Sequence, residues 1–416
     1  MKMAQNKITV LGAGIVGICC ALELQQKGYQ VTLIDRRGFG EETSYGNAGI
    51  LSLSSVMPLA SPQILTRLFR LATNQDNDFL MHYAHLPWLL PWLTKFLMRC
   101  NRDTYITDGM AMSELTLPSV AMHLEWIKQA KAEHLLNSVG ALKLYRNPQS
   151  YARDALEREL FDRCGVAYSV LEKGDCTDLE PDLHDVYEKG LLIEQTQSLR
   201  DPQALCQAYG ELFMNLGGTF KQAAVKQIEN RNGQWEITSD QGVEIVEKLV
   251  VCLGAWTPEL LKPLGYSNPI VMERGYHTVF QTQPDKCLKR PVFDVDSSFV
   301  MIPMNAGLRV TTGTNMVYRD TTETATQIAR VTPRVREAFP VDKIILDKPW
   351  MGRRPSTPDS LPIIGPAPRH ENLWLAFGHA HMGLTVGPVT GKLIAEFVSS
   401  EPHSFPVEPY LPHRYL

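Results

Sequence analysis

The sequence lacks the features that define several other classes of protein. No apolar run approaches the ~20 residues of a membrane-spanning helix, and residues 1–14 show no basic region, apolar core and cleavage site, so a signal peptide is not expected. None of the 8 cysteines lies in a C-x-x-C pair, and no metal site is predicted. A formal net charge of −4 argues against a nucleic-acid-binding protein.

The composition is otherwise that of an ordinary globular protein. With 416 residues, of which 44% are apolar and 21% charged, the chain can bury a large core and should form about two domains. Cysteines that form neither a disulfide framework nor a metal site are typical of a reducing compartment. We therefore expect a cytoplasmic protein.

The N-terminal 35 residues have the pattern of a β-α-β unit. A strand pattern at 7–11 leads into Gly12, Gly14 and Gly17, and a helical pattern follows before a second strand ends at Asp35. The first glycine permits a tight turn, the second lets the backbone approach a pyrophosphate, and the third allows close packing of the helix. Ile15 and Val16 open that helix, whose N-terminus stabilises phosphate charge. The pattern predicts a dinucleotide-binding site.

The acid at the end of the second strand narrows the choice of dinucleotide. Asp35 can accept hydrogen bonds from a ribose hydroxyl, whereas a glycine-rich packing turn would leave it unexplained. Arg36 and Arg37 could meet a 2′-phosphate, but Asp35 would repel one. NADP is therefore disfavoured.

A polar, glycine-rich segment at 42–49 follows the Asp35 strand. Exposed amides and hydroxyls in such a segment suit the ribityl chain or the ring edge of FAD, and nicotinamide cofactors do not need them; a plain surface loop is the alternative. The residues concerned are Thr43, Ser44, Asn47, Ala48 and Gly49.

A second strand-turn-helix pattern lies near the C-terminus. A strand pattern at 372–376 is followed by a turn from Gly378 to Gly383 and by a helical pattern from Leu384, with Thr385 in its first turn. Free amides at a helix start favour negative charge, and a reduced flavin is negative near N1 and the C2 carbonyl. This turn is predicted to face the flavin ring.

These segments belong to a larger set of motifs that resembles the D-amino-acid oxidase-like superfamily of flavoproteins, which includes glycine and sarcosine oxidases. Within it the chain is most similar to the bacterial FAD-dependent D-amino acid dehydrogenases. The motifs run from end to end in the family's order, and only the tract of about 58–133 lacks one. They are VLGAGIVG, ETSYGNAGILS, SLRDPQAL, KLVVCLGAWTPEL, MERGYHTV, GRRPSTPDSLPIIG and GHAHMGLTVGP.

The resemblance implies an α/β fold, α+β overall. A Rossmann-like FAD-binding domain of the glutathione-reductase type would comprise 1–59, 201–265 and 346–416. A discontinuous substrate domain built on an antiparallel sheet would comprise 60–200 and 266–345. Within 201–265 we expect a helix at 203–216, a hairpin at 219–238 and a strand at 248–253. A ligand pocket is expected where the two domains meet.

The resemblance implies FAD as the cofactor, and three further residues are expected at its site: Val225, Gly254 and Trp256. Relatives with covalent FAD carry a cysteine near the TPD motif or a histidine before the N-terminal AG. This chain's last cysteine is Cys287, and Tyr45, Gly46 and Asn47 stand at the histidine position. Noncovalent binding is therefore expected. Relatives also often carry glycine where this chain has Ala380.

Arg354 is the main candidate for the substrate site. It precedes Pro355 in GRRP, and related oxidases hold an amino-acid carboxylate with the arginine of a similar turn. A bidentate guanidinium suits that task. A structural salt bridge to Asp359 is the alternative, and Arg353 could share the role.

Three other residues are candidates of lower rank. Tyr276 is expected to line the pocket and to orient the carboxylate, although a core tyrosine is the alternative. His277 should then point to the opposite face. His381 is a candidate pocket residue near the flavin, whereas His379 is interpreted as structural.

The tract at 86–100, LPWLLPWLTKFLMRC, is too short and too interrupted to span a bilayer. It is predicted to be a domain-packing helix, with a peripheral membrane contact as the alternative. The dehydrogenase resemblance implies an electron acceptor in the membrane, which would place the protein at the inner face of the cytoplasmic membrane.

The resemblance implies oxidation of the α-C–H bond of a D-amino acid, with hydride transfer to flavin N5 and electrons passed to a quinone or a dye-like acceptor. The imino acid would hydrolyse to a 2-oxo acid and ammonia. Three alternatives remain open: a D-proline or D-hydroxyproline dehydrogenase, an oxygen-using oxidase of the glycine or sarcosine type, and a flavin-carrying electron-transfer subunit of a complex.

Overall fold

The computed structural model describes residues 7–75, 77, 79–267, 269–317 and 325–416. The helices are α1 (Ile15–Gln26), α2 (Gln63–Ala72), α3 (Leu86–Met98), α4 (Arg102–Gln129), α5 (Pro148–Arg153), α6 (Ala155–Cys164), α7 (Lys173–Leu179), α8 (Pro202–Asn215), α9 (Thr257–Leu261), α10 (Thr326–Ala338) and α11 (Gly383–Ser399). Among those residues, no helix combines the length and the hydropathy that crossing a bilayer requires.

The strands lie between these helices, some singly and some in runs. They are β1 (Lys7–Leu11), β2 (Gln30–Asp35), β3 (Ile50–Leu51), β4 (Phe79–Met81), β5 (Leu136–Asn137), β6 (Ala141–Tyr145), β7 (Ser169–Glu172), β8 (Lys189–Ile193), β9 (Gln197–Leu199), β10 (Thr219–Gln222), β11 (Val225–Arg231), β12 (Gln234–Ser239), β13 (Gly242–Val246), β14 (Leu249–Val251), β15 (Val271–Thr282), β16 (Val292–Asp294), β17 (Phe299–Met304), β18 (Gly307–Met316), β19 (Val341–Ile344), β20 (Trp350–Ser356), β21 (Ile363–Pro366) and β22 (Leu373–Phe377).

A first sheet has the order β10-β2-β1-β14-β22-β21, and its neighbours are parallel except for the antiparallel pair of β21 and β22. Strands β1 and β14 are buried almost throughout, as central parallel strands must be. Helices α1 and α11 pack against each other beside this sheet. The approach is close because Gly391 has no side chain: a Cβ there would lie 2.5 Å from the carbonyl oxygen of Cys19. This is the predicted Rossmann-like unit.

A second, larger sheet has the order β19-β15-β18-β17-β16-β6-β8-β7, and β20 and β4 pair with β15 and β18. Most neighbours are antiparallel, while β16 pairs with β6, and β18 with β4, in parallel. One face of this sheet packs Phe293, Val300 and Ile302 against Ile50, which directly follows the segment 42–49. The sheet therefore covers the first unit, as predicted.

Two predicted boundaries are wrong. Residues 219–222 do not form a hairpin with 234–239; they form the edge strand β10 beside β2, and the hairpin is β11 with β12. The predicted third segment, 346–416, begins too early, because Trp350–Ser356 pairs with β15 in the large sheet. In both cases the strand has no clear alternation of apolar and polar residues, and its position is set by pairing with a longer strand, β2 for β10 and β15 for β20.

The tract 86–100 forms α3, and its packing role is the one that the structure favours. Leu89, Trp92 and Phe96 are buried in a cluster with Ala60 and Val271. The indole Nε1 of Trp92 donates a hydrogen bond to the carbonyl oxygen of Ser356 at 3.0 Å, which ties α3 to the end of β20. Pro91 lies inside the helix without ending it.

Candidate active site

A cavity of about 850 Å³ lies between the carboxyl ends of the parallel strands and the large sheet. That edge of a parallel sheet is where ligands bind in open α/β folds. The predicted residues on its wall are Gly12, Gly14, Ile15, Val16, Asp35, Arg36, Thr43, Ser44, Asn47, Ala48, Val225, Gly254, Trp256, Tyr276, Arg354, His381, Gly383, Leu384 and Thr385. Gly17, Gly49 and Gly378 do not border the cavity and lie behind it.

The turn between β1 and α1 is shaped by its glycines. Gly12 has a φ of +105°, and a Cβ there would lie 2.5 Å from the carbonyl oxygen of Cys252. A Cβ on Gly17 would overlap the carbonyl oxygen of Gly12, so the third glycine lets α1 start directly on the turn. The N–H of Ile15 donates to Ser44 Oγ at 3.0 Å. The geometry is a cradle of backbone amides of the kind that holds a pyrophosphate.

The carboxylate of Asp35 fixes the same turn. Its Oδ2 accepts the N–H of Ala13 at 2.7 Å, and its Oδ1 accepts the N–H of Arg37 at 2.9 Å. Burial raises the pKa of Asp35, and these two hydrogen bonds work against that shift. Each oxygen retains a further lone pair for a ribose hydroxyl. Asp35 therefore has a structural role in addition to the predicted one.

Beyond Asp35, the wall consists of an aromatic ring and a charged pair. The guanidinium of Arg36 lies 4.5 Å from the ring centroid of Trp256, which ends the turn before α9. The same guanidinium forms an ion pair with Glu42. The charge of Arg36 is thus matched by that of Glu42.

The segment 42–49 is tied to the large sheet by three side-chain contacts, in addition to the hydrogen bonds within the segment. Thr43 Oγ1 donates to the carbonyl oxygen of Arg353 at 3.1 Å. Arg309 Nη1 donates to the carbonyl oxygen of Asn47 at 2.6 Å. His277 Nδ1 lies 3.2 Å from the carbonyl oxygen of Gly46. The segment therefore joins the two sheets at the point where a flavin ring would enter.

Gly46 is also required by shape. A Cβ there would overlap the indole of Trp350, and the same is true of Gly352 on the strand that carries this tryptophan. Trp350 stacks on His277 with ring centroids 4.9 Å apart and an interplanar angle of 20°. Burial lowers the pKa of His277 to about 3, so the ring is neutral and donates one hydrogen bond.

The C-terminal turn between β22 and α11 has the predicted position. Leu384 and Thr385 in the first turn of α11 border the cavity, and Thr385 Oγ1 donates to the carbonyl oxygen of Ile50 at 3.2 Å. Ala380 has a φ of +47°, the left-handed region that favours glycine. Its N–H donates to the carbonyl oxygen of Pro355 at 2.9 Å, which holds it there. The glycine that relatives often carry at this position has a physical reason.

The histidines on either side of Ala380 differ. His379 is buried, and its Nε2 lies 3.0 Å from Thr390 Oγ1 in α11, which supports the structural interpretation. His381 is exposed to the open cavity. Limited hydration and the nearby Arg354 guanidinium lower the pKa of His381 to about 4. His381 is therefore neutral near pH 7 and shares the cavity with Arg354.

Arg354 lies across β20 and β15. The strand pairing places it opposite Glu273, and its guanidinium covers Gly275, where a Cβ would overlap it. Its Nη1 has one long hydrogen bond, 3.5 Å, to the carbonyl oxygen of Gly313. Burial lowers the pKa of Arg354, while Glu273 works in the opposite direction. The guanidinium is held in place at the cavity wall with donor groups to spare.

The alternative role for Arg354, a salt bridge to Asp359, does not occur. Asp359 Oδ2 pairs instead with Arg414 Nε at 3.0 Å. Among the described residues, no carboxylate lies within 4.0 Å of the Arg354 guanidinium. A guanidinium held in a cavity wall without an ion-pair partner is suited to an anionic ligand.

One part of the prediction for Tyr276 and His277 is wrong: His277 does not point away from the cavity, and both residues border it. The alternation itself is correct, because His277 shares the face of Gly275 and Arg354, and it reaches the 42–49 segment. Tyr276 pairs with Met351 on the other face and packs against Ile328 of α10. Tyr276 still borders the cavity, so a role in it stays a prediction.

Four site residues were not candidates from the sequence: Gly275, Trp350, Arg309 and Glu273. Each depends on which strand lies beside which, and that is not visible in a single segment. One signal was available. Gly275 stands in the middle of a strand pattern, where glycine often marks the close approach of another group.

The wall of the cavity also includes a buried ion cluster on β6 and α6. Lys143 Nζ lies 2.9 Å from Asp154 Oδ2 and forms a second ion pair with Glu157. Burial raises the pKa of Glu157. This part of the wall is polar, in contrast to Phe293 and Val300 near the first sheet.

Comparison with known proteins gives consistent results. A family model described as FAD dependent oxidoreductase (DAO) matches residues 7–397. A D-amino-acid oxidase of Bradyrhizobium diazoefficiens is 29% identical, covering 98% of this chain and 99% of its own. A D-amino acid dehydrogenase of Rhizobium rhizogenes is 27% identical, covering 94% and 96%. Glycine oxidase from Geobacillus kaustophilus has a similar structure, with a TM-score of 0.74, 20% identity, and coverage of 99% of this chain and 100% of its own.

Proposed function

The chain belongs to the DAO family of FAD-dependent oxidoreductases, and we propose that it oxidises a D-amino acid to a 2-oxo acid and ammonia. One observation carries the choice of substrate class: the Arg354 guanidinium is positioned over Gly275 in the wall of the FAD cavity, with no carboxylate in ion-pair range among the described residues. An α-carboxylate is the anion that would complete it.

The residues of the cavity fit FAD. The amide cradle at Gly12 and Asp35 suits the pyrophosphate and the ribose, and the 42–49 segment together with the start of α11 borders the rest of the cavity. Bound FAD supplies the acceptor for the hydride of the α-carbon. Because neither Tyr45, Gly46 nor Asn47 can form the family's histidine link, we infer noncovalent binding. Acid precipitation should leave all the yellow colour in the supernatant; colour in the pellet would contradict this.

The protein's own contribution is binding, orientation and exclusion of water. Arg354 would hold the carboxylate, so that the α-hydrogen points at the part of the cavity bordered by 46–48 and 383–385. The substrate amine must be neutral to develop C=N character. Because the pKa of His381 is lowered, its imidazole is neutral and would not protonate that amine. No strong base is required, and an assisting role of Tyr276 stays a prediction.

Anaerobic reduction of the bound flavin tests the proposal directly. Purified protein is mixed with D-amino acids, their L-enantiomers, glycine, sarcosine, and D-proline or hydroxyproline, and bleaching is followed by absorbance. The fastest bleaching is expected with a D-amino acid carrying a primary amine. A clear preference for a cyclic imino acid or an N-methyl amino acid would move the chain to a rival substrate class. If bleaching occurs only with added partner proteins, the chain is a flavin-carrying subunit.

For the electron acceptor we propose a quinone rather than oxygen. The relatives include one named an oxidase and one named a dehydrogenase, so both acceptors have a precedent. Reoxidation of the substrate-reduced protein by a soluble quinone analogue or by air-saturated buffer separates the two. Reoxidation that is as fast in air as with the quinone would identify an oxidase. The cytoplasmic location at the inner face of the membrane stays a prediction. All 8 cysteines are free thiols.

A further inference from the structure

One row of side chains crosses the large sheet on the side that faces the cavity. Strand pairing places its members directly opposite one another on one face, and all of them border the cavity. From β20 to β6 they are Trp350, His277, Thr311, Val300, Phe293 and Lys143. At its β6 end the row meets the ion cluster of Lys143, Asp154 and Glu157, which we call the β6–α6 cluster. This cluster therefore lies on the wall of the same cavity as Arg354.

The charges of the β6–α6 cluster do not balance. One ammonium group, that of Lys143, serves two carboxylates: its Nζ lies 2.9 Å from Asp154 Oδ2 and also pairs with Glu157 Oε2. Glu157 is only 8% exposed, and its Oε1 has no hydrogen-bond partner among the described residues. Buried carboxylate oxygens normally accept a hydrogen bond. The cluster thus lacks one donor and carries one negative charge in excess.

Two other cations in this part of the molecule do not supply the missing donor. The guanidinium of Arg158 lies 3.9 Å from the ring centroid of Tyr151, and its Nη1 donates to the carbonyl oxygen of that residue at 2.7 Å. Arg67 also borders the cavity, but it has an interaction of its own. The donor that completes the cluster is therefore expected to come with a ligand.

The chemistry of the cluster selects the kind of donor. A water molecule or a hydroxyl group would satisfy Glu157 Oε1 but would leave the excess negative charge, whereas an ammonium or a guanidinium would satisfy both. The last torsion of a glutamate side chain is broad, so a small rotation turns this oxygen toward an incoming group. The geometry favours a cationic ligand group with N–H donors.

The distance to Arg354 sets the length of such a ligand. Arg354 Nη1 reaches the carbonyl oxygen of Gly313 on β18, and β6 is three strands further across the sheet. Three strand spacings of about 4.8 Å amount to roughly 14 Å. An ion-pair contact of about 4 Å at each end leaves roughly 6 Å, or about five bonds of an extended chain. Val300 and Phe293, in the middle of the row, offer an apolar surface for methylene groups.

We propose that the β6–α6 cluster binds the cationic side chain of the substrate, and that the preferred substrates are basic D-amino acids of the length of ornithine, lysine or arginine. This inference rests on the proposed function, because it places the α-carboxylate on Arg354. Glu157 is then a specificity-determining residue, which binds the far end of the substrate and takes no part in hydride transfer.

Anaerobic flavin reduction by a matched pair of substrates tests the inference. D-Norleucine has the carbon chain of D-lysine without the terminal amine, so the pair isolates the cation. The wild type should show a kcat/KM for D-lysine at least roughly tenfold higher than for D-norleucine. Glu157→Gln keeps the size of the side chain and removes its charge. This variant should lose roughly tenfold in kcat/KM for D-lysine, mainly through KM, and change less than about twofold for D-norleucine.

Glu180→Gln is the matched control, because Glu180 is also a buried glutamate with an ion-pair partner, Arg290, but does not border the cavity. It should keep the ratio of the two kcat/KM values that the wild type has. Circular dichroism and FAD content show whether each variant folds. If Glu157→Gln does not fold, Asp154→Asn is the second variant, and the wild-type comparison needs no variant.

The outcomes separate this inference from the proposed function. A wild type that is reduced equally well by D-lysine and D-norleucine, or a folded Glu157→Gln that loses equally with both, would overturn the inference and leave D-amino acid oxidation standing. Flavin that no D-amino acid reduces would overturn both.

Discussion

At one end of the cavity the wall is made of backbone, and at the other end it is made of side chains that reach across a sheet. The dinucleotide end uses the amides of a single turn, and Gly12 and Gly17 are needed because any Cβ would collide with a carbonyl oxygen. The end that we propose binds the substrate is lined by Arg354, His277 and Trp350, which come from paired strands of the large sheet. The first end depends on local conformation, whereas the second depends on strand register.

The two ends should therefore fail in different ways. A change at the dinucleotide end should cost FAD affinity, since this turn would hold the pyrophosphate. A change at the substrate end should leave FAD in place and cost the reaction with amino acids. The segment 42–49 is the exception, because its carbonyl groups are held by Arg309 and His277 of the other sheet. Substitutions can therefore alter one end without the other.

The largest effect is expected for Arg354→Met. FAD content and folding should be intact. The value of kcat/KM for the amino acid should fall by a factor that corresponds to roughly 2–5 kcal/mol of transition-state stabilisation, because the substrate carboxylate would be left desolvated and unpaired. Arg354→Lys should restore only part of the activity, since an ammonium lacks the planar fork. Rapid anaerobic flavin reduction measures both.

Arg353→Met is the matched control, with the neighbouring guanidinium removed. The kcat/KM of Arg353→Met for the amino acid should fall much less than that of Arg354→Met. An amine without a carboxylate should react equally with the wild type and with Arg354→Met. Equal rates of flavin reduction by the amino acid in the wild type and in Arg354→Met would make Arg354 a structural residue.

A smaller loss is expected for Gly275→Ala, which tests the geometry rather than the charge. The new methyl group would overlap the guanidinium and force Arg354 away from its position. We expect KM for the amino acid to rise roughly tenfold, about 1.4 kcal/mol, with FAD retained. Gly174→Ala is the control, because a Cβ there meets nothing within 4 Å.

A double-mutant cycle sharpens this test. In the Arg354→Met background the Gly275→Ala change should cost almost nothing, since the group that it displaces is gone. Equal costs in both backgrounds would mean that Gly275 matters to the strand and not to Arg354.

The same contrast explains which features of the fold and of the cavity could be predicted from the sequence. The turn at Gly12–Gly17, the acid at Asp35 and the turn before α11 are confirmed in position because each is fixed within a few residues of chain. Arg354 was predicted from its motif; it borders the cavity, and its role stays a prediction. The expectation that His277 points away from the cavity was wrong, because alternation fixes which residues oppose each other but not which face meets the cofactor domain. Strand β10 was misassigned since its pairing partner, β2, lies about 190 residues earlier in the chain, as the ranges 30–35 and 219–222 show.

Asp35→Asn addresses the dinucleotide end alone. The carboxylate accepts two backbone N–H groups in addition to its expected ribose contact, and an amide nitrogen would place a donor against one of them. FAD affinity should fall by roughly 1–3 kcal/mol, the value of hydrogen bonds to a charged group. Asp175→Asn is the control, because that carboxylate also accepts a backbone N–H, from Glu172 at 2.9 Å, but lies outside the cavity. Unchanged FAD affinity in Asp35→Asn would mean that another group binds the ribose.

The smallest effect concerns acid stability at the start of α11, on the dinucleotide side. His123 is fully buried; its Nε2–H donates to the carbonyl oxygen of Leu384 at 2.7 Å, and its Nδ1 lies 2.9 Å from Tyr209 Oη. Burial lowers the pKa of His123 to about 4. The unfolded chain, with a pKa near 6.5, binds a proton that the folded chain excludes, so this contribution to stability is complete above pH ~6.5 and is lost as the pH falls toward ~4.

His123→Gln keeps a donor and an acceptor but cannot titrate. Between pH ~6.5 and ~5.5 the free energy of unfolding of the wild type should therefore fall by about 1 kcal/mol more than that of the variant, as measured by urea denaturation at the two pH values. The variant is expected to be less stable at neutral pH, so the comparison rests on the pH dependence and not on the absolute stability. If both proteins lose stability in parallel, the pKa of His123 is the same in the folded and the unfolded chain, and the folded state takes up the proton as well. The contact between α4 and α11 would then have to accommodate a buried charge beside a carbonyl oxygen.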